Sequence, residues 1–141
     1  MLENAISSNG KLHSYLTGSM TATSTSFIES GLGFALAANT TYHINSVTYN
    51  SANGDGIKLN YAYSGTVVDG TMFYTNYVTG AADAVAVNGT LVDTGVDGVI
   101  KVEGVVRTGS AGKLTLQFAK YTDVTSDTPL QPGSFLVATP L

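Results

Sequence analysis

The sequence contains no cysteine. Disulfide frameworks, thiolate zinc sites and cysteine nucleophiles are therefore excluded. Charge is also scarce: charged residues make up 11% of the chain, against about 25% in a typical soluble domain. So little charge leaves much neutral surface, and some of it is expected to be covered in an assembly, because solubility otherwise leans on charge. The six basic residues are scattered from Lys11 to Lys120, and the net charge is -4. Nucleic acid and anionic membrane surfaces are both recognised through clustered cations, so neither is an expected partner. Residues 1–5 (Met-Leu-Glu-Asn-Ala) lack the basic start and apolar core of a signal peptide. No apolar run approaches the length of a membrane span. The expectation is a product made in the host cytoplasm without a signal peptide.

Catalytic constellations are missing too. The nucleophile-elbow pattern Gly-x-Ser-x-Gly does not occur. Gly109-Ser110-Ala111-Gly112 comes nearest, with the wrong spacing, and Ser110 reads as a turn residue. Only His13 and His43 could serve as imidazole bases or ligands, and they are far apart with no His-x-His or His-Glu pattern. Asp93 and Asp97 share one Gly-bearing loop and Asn53 and Asp55 another. Such loops can offer oxygen ligands to calcium, but the spacing of a calcium-binding helix-loop-helix is absent, and Asp and Gly serve turns without any ion. Glu103, on an outward strand face, is not singled out as half of an acid pair. The expectation is no enzyme, no cofactor and no metal.

What is present is the strand signal. Gly, Thr, Ser, Asn and Val dominate and are middling or weak helix formers, whereas β-branched residues and tyrosines fall in short alternating runs. In 57–63, Ile57, Leu59, Tyr61 and Tyr63 share one face, and Lys58 and Asn60 the other. The run 113–118 alternates as cleanly, and 99–103 sends Ile100 and Val102 inward and Lys101 and Glu103 outward. The run 42–49 alternates at each end and slips phase in the middle, for which a β-bulge near Asn45-Ser46 is the expected cause. Weaker strand candidates are 15–23, 34–37, 72–78, 84–88 and 135–138. Asn53-Gly54, Asn88-Gly89, Asp97-Gly98, Ser110-Ala111-Gly112 and Gln131-Pro132-Gly133 supply turns between the runs. About eight or nine strands at that spacing predict an all-β, antiparallel β-sandwich of jelly-roll type. Residues 1–12 have no strong period and are expected to form an N-terminal arm or short helix, with the sandwich over 13–141. Tyr61 and Tyr63 are expected in the core, and at least one of Tyr74 and Tyr77 exposed or in a subunit contact.

The order of these segments resembles a known type of domain. Residues 34–42 (Phe-Ala-Leu-Ala-Ala-Asn-Thr-Thr-Tyr) are followed by Ser46-Val47-Thr48-Tyr49-Asn50-Ser51-Ala52, by Gly104-Val105-Val106, by Gly112-Lys113-Leu114-Thr115-Leu116-Gln117-Phe118-Ala119 and by Gly133-Ser134-Phe135-Leu136-Val137. Together they resemble small jelly-roll β-domains of tailed-phage virions, related in shape to tumour necrosis factor and C1q heads, most of all capsid decoration (cement) proteins. The resemblance spans residues 34–137. It implies a homotrimeric, non-enzymatic virion structural protein that binds the major capsid protein and stabilises the head shell. Without a fibrous shaft or coiled-coil heptads, a free-standing decoration protein is expected ahead of the alternative, a trimeric receptor- or glycan-binding head of a fibre or spike. In that alternative an exposed tyrosine and the loops 53–55 or 93–97 would suit a sugar. Apolar residues that alternation does not place in the core, namely Phe73, Tyr77, Val105 and Leu136, are the expected trimer interface. Met1, Leu2, Ile6 and Leu12 are the expected capsid-docking residues.

Overall fold

The computed structural model describes residues 6–8, 10–50, 56–93, 98–122 and 127–141. Among them the chain forms thirteen strands and no helix. These are β1 (Ile6–Ser8), β2 (Lys11–Tyr15), β3 (Met20–Ala22), β4 (Ile28–Leu36), β5 (Thr41–Asn50), β6 (Ile57–Tyr63) and β7 (Val67–Asn76). There follow β8 (Ala82–Val85), β9 (Thr90–Asp93), β10 (Gly98–Thr108), β11 (Gly112–Lys120), β12 (Thr128–Leu130) and β13 (Phe135–Pro140).

Two antiparallel sheets make a sandwich. The larger runs β1-β2-β13-β5-β10-β7-β8, with the short pair β12–β3 attached to β5, and the smaller runs β4-β11-β6-β9. The pairings nest: β2 with β13, β4 with β11, β5 with β10, and β6 with β9. Successive nested pairs alternate between the two sheets. That is the winding of a jelly roll, a long hairpin rolled over on itself. The strands beyond the eight of the winding are the β7–β8 hairpin beside β10, the β1 edge beside β2, and β3 with β12.

Alternation explains which side chains fill the sandwich. In β6 every second residue is buried, Ile57, Leu59, Tyr61 and Tyr63, and β11 adds Leu114, Leu116 and Phe118. The larger sheet answers with Tyr42, Ile44, Met72, Ile100, Val102, Val106 and Leu136. Each such side chain contributes about 1.5–3 kcal/mol when fully buried. Polar groups also tie the sheets together. The Tyr61 hydroxyl donates to Ser46 Oγ at 3.0 Å, and the Gly33 N–H donates to Ser14 Oγ at 3.1 Å.

Two expectations change here. No bulge occurs near Asn45-Ser46: the register of β5 on β10 runs unbroken from Gly98↔Asn50 to Arg107↔Thr41. The apparent slip arises because Ser46, Thr48 and Asn50 occupy inward positions, with Ser46 receiving the Tyr61 hydroxyl and Thr48 Oγ1 donating to Ile100 O at 3.5 Å. Register shifts fall instead at Arg107/Thr108 and between Thr115 and Gln117. Of the expected arm, residues 1–5 lie outside the described residues, while Ile6–Ser8 and Lys11–Tyr15 form an antiparallel pair on the rim of the larger sheet. Leu12 pairs with Ala138 and packs against the core.

Candidate interaction surface

The two outward faces of the sandwich differ in chemistry. On the smaller sheet the outward side chains include Glu29, Lys58, Asn60, Thr90, Lys113, Thr115 and Gln117. They bond to one another: Asn60 Nδ2 donates to Gln117 Oε1 and Gln117 Nε2 donates to Glu29 Oε1, both at 2.9 Å. Lys58 Nζ donates to Thr25 O at 2.7 Å and lies over the Phe27 ring. This face suits water.

The outward face of the larger sheet is richer in aromatic and β-branched groups. At one end Tyr77, Val99 and Tyr49 lie side by side, since Tyr77 N–H donates to Val99 O and Val99 pairs with Tyr49. The next row runs Thr75, Lys101, Val47, Phe135 and Tyr15. The middle row places Phe73 opposite Glu103, followed by Asn45, Val137 and His13. Phe73 is 58% exposed and Tyr77 61%. Towards the other end come Thr71, Val105 and His43, then Asp69, Arg107 and Thr41. The face is thus graded, aromatic at the Tyr77 end and polar at the Arg107 end.

Phe73 stands between two shallow grooves. One, of about 360 Å³, is bounded by Thr75, Tyr77, Lys101 and Glu103. Its charges are mutually satisfied: Glu103 accepts from Lys101 Nζ at 2.9 Å and lies 3.0 Å from His43 Nε2. The hydrogen bond from Lys101, then that from His43, hold the Glu103 carboxyl below the usual carboxylate range, and Glu103 in turn raises Lys101. The other groove, of about 510 Å³, runs past Thr71 and Val105 to Asp69 and Arg107. Its floor is backbone at Gly70 and Gly104. A Cβ at Gly104 would fall on the Thr71 carbonyl oxygen.

The residues singled out from sequence are only partly brought together. Phe73, Tyr77 and Val105 do share this outward face. Leu136 does not: it is fully buried, because in β13 Phe135 and Val137 point outward and Leu136 and Ala138 point inward. Met1 and Leu2 lie outside the described residues, as do the loops 51–55 and 94–97. Ile6 pairs with His13 through the backbone, and Leu12 is half-buried. His13 and His43 face the same way but are separated by β13. Ser110 is a turn residue, its N–H donating to Thr66 Oγ1 at 2.8 Å and its Oγ accepting from Thr66 N–H at 2.9 Å. Among the described residues, no group of three or more His, Cys, Asp or Glu side chains is placed to hold a metal ion. The Glu103–Lys101–His43 cluster and the Asp69–Arg107 pairing were missed from sequence. Both depend on cross-strand register, which no single run of residues carries.

No protein-family model matches the chain, and no curated protein matches it. Among solved structures, one described as "Family 16 Carbohydrate Binding Module-2" aligns over 96% of this chain and 81% of its own, at 13% identity and a TM-score of 0.36.

Proposed function

We propose that this chain is a non-enzymatic structural protein of a phage virion, a decoration protein that self-associates as a trimer and clamps the head shell. The observation that carries the self-association is the difference between the two outer faces. A polar, internally bonded face needs no cover, whereas a sheet face bearing Tyr15, Tyr49, Phe73 and Tyr77 leaves large aromatic rings in water. Such rings are enriched where proteins meet, because each buries much area with few rotatable bonds. The paired charges of Glu103 and Lys101, with His43 bonded to the same carboxylate, suit the same role, since a charge that already has its partner loses less when water is removed. The segment order and the jelly-roll winding support the virion setting, by analogy of fold. The contact is assigned to the aromatic half of the face, with Phe73 at its boundary. Three copies on one trimer would then hold the shell through effective concentration rather than strong single contacts.

Light scattering on a sizing column tests this directly. A mass near three chains is expected, falling to one chain on Tyr77→Asp with the strand circular-dichroism signal retained. Cosedimentation of the trimer with empty phage shells is the second step. A monomeric wild-type protein would overturn the self-association, and a trimer that ignores shells would overturn the decoration role.

A further inference from the structure

We propose that the groove at the Arg107 end of the larger sheet binds a neutral glycan chain. Asp69 and Arg107 are directly paired in the β7–β10 register. Among the described residues neither takes part in an ion pair or a side-chain hydrogen bond. The second groove differs, because its charges are already satisfied by one another. A free carboxylate beside a free guanidinium sets the ligand class. An anion would meet Asp69, and a cation would meet Arg107. A neutral ligand with neighbouring hydroxyls uses both, donating to the carboxylate and accepting from the guanidinium.

The rest of the groove fits the same ligand. Thr41 and Thr71 add hydroxyls that can donate or accept. Phe73 offers an exposed ring face against which the C–H face of a sugar ring can lie. Gly70 and Gly104 present only backbone to the groove. The groove is open rather than enclosed, so it suits a chain laid across the sheet more than a single enclosed sugar. This site does not depend on the trimer. The aromatic contact assigned above lies at the other end of the face.

The test is calorimetric and NMR titration of the full chain with cellotetraose, maltotetraose and the tetramer of N-acetylglucosamine. Binding of at least one in the range of about 1 mM or tighter is expected, with shifts centred on Asp69, Phe73 and Arg107 and little dependence on salt. Asp69→Ala and Arg107→Ala should each weaken it by about tenfold, the scale of a lost charged hydrogen bond. Tyr77→Asp should leave it unchanged, so failure of the trimer and failure of the glycan site are read separately. No binding to any of the three tetramers would overturn the proposal, as would binding that survives both charge substitutions. Tighter, salt-sensitive binding of tetragalacturonate would also overturn it, by showing an anion site instead.

Discussion

At the scale of single residues, buried polar groups decide more than their number suggests. Tyr61 is fully buried with its hydroxyl on Ser46, and burial pushes its phenol well above the ordinary tyrosine range. Replacing it by Phe leaves Ser46 Oγ without that donor inside the sandwich. Tyr61→Phe is therefore expected to cost about 1–2 kcal/mol in denaturant unfolding, the penalty of a broken buried hydrogen bond. Because the folded pKa is raised, this tyrosine's contribution is fully present below the unfolded value, about 10. It is lost as pH climbs further, so the wild type should lose stability above that point faster than Tyr61→Phe. Glu103 has the opposite sign. Lys101 and His43 depress its carboxyl, so what it contributes is present above the unfolded value and fades as pH falls through the folded one. The cluster is largely solvent-exposed, so the clearer readout is the titration itself. Carbon-detected NMR should place the Glu103 carboxyl below ordinary glutamates, and Lys101→Met should move it upward. A Glu103 that titrates at the ordinary glutamate value in the wild type would contradict the pairing.

At the scale of elements, close approach of strands constrains sequence more than propensity does. Gly104 sits where β10 passes β7, and a Cβ there would collide with the Thr71 carbonyl and crowd Met72 Cα. Backbone cannot yield as a flexible side chain can, so Gly104→Ala should destabilise by more than the ~1 kcal/mol that alanine can gain at a permissive glycine, measured as a lower midpoint in urea. Much at this scale was legible in the sequence. The cleanest alternations, 57–63 and 113–118, lie within β6 and β11 and bury the residues that periodicity places inward. The run 42–49 was legible as a strand but not in its phase, because Ser46 and Thr48 take core positions that hydrophobicity reserves for apolar groups. β9 and β12 escaped notice because three- and four-residue strands are too short to show a period. Leu136 was misplaced for a related reason. Phe135, Leu136 and Val137 are all apolar, so sequence alone does not say which of the two faces is inside. The candidate surface was legible only as isolated outward residues. Its pairing of Phe73 with Glu103 and of Asp69 with Arg107 is a property of register, and register is set by the whole sheet.

At the scale of the whole molecule, the jelly-roll winding and the uncovered face bear on one measurable quantity, the dependence of unfolding on protein concentration. The outermost nested pair joins Leu12 to Ala138, so the chain closes only after nearly its whole length has been gathered. Non-local pairing of this kind makes folding slow, in the range of milliseconds to seconds for β-sandwiches. Durability then depends on how slowly the closed form opens. If copies associate through Tyr15, Tyr49 and Tyr77, association stabilises the folded state by mass action, and the denaturation midpoint rises with concentration. The wild type should show that rise over a hundredfold range of dilution. Tyr77→Asp should flatten it to a constant midpoint close to the wild-type value at the highest dilution, since its side chain is exposed in the single chain and supports no part of the core. A wild-type midpoint that does not move with concentration would mean that one sandwich carries all of its stability alone. The aromatic half of the larger sheet would then be free in solution, and its partner would have to be something other than a second copy.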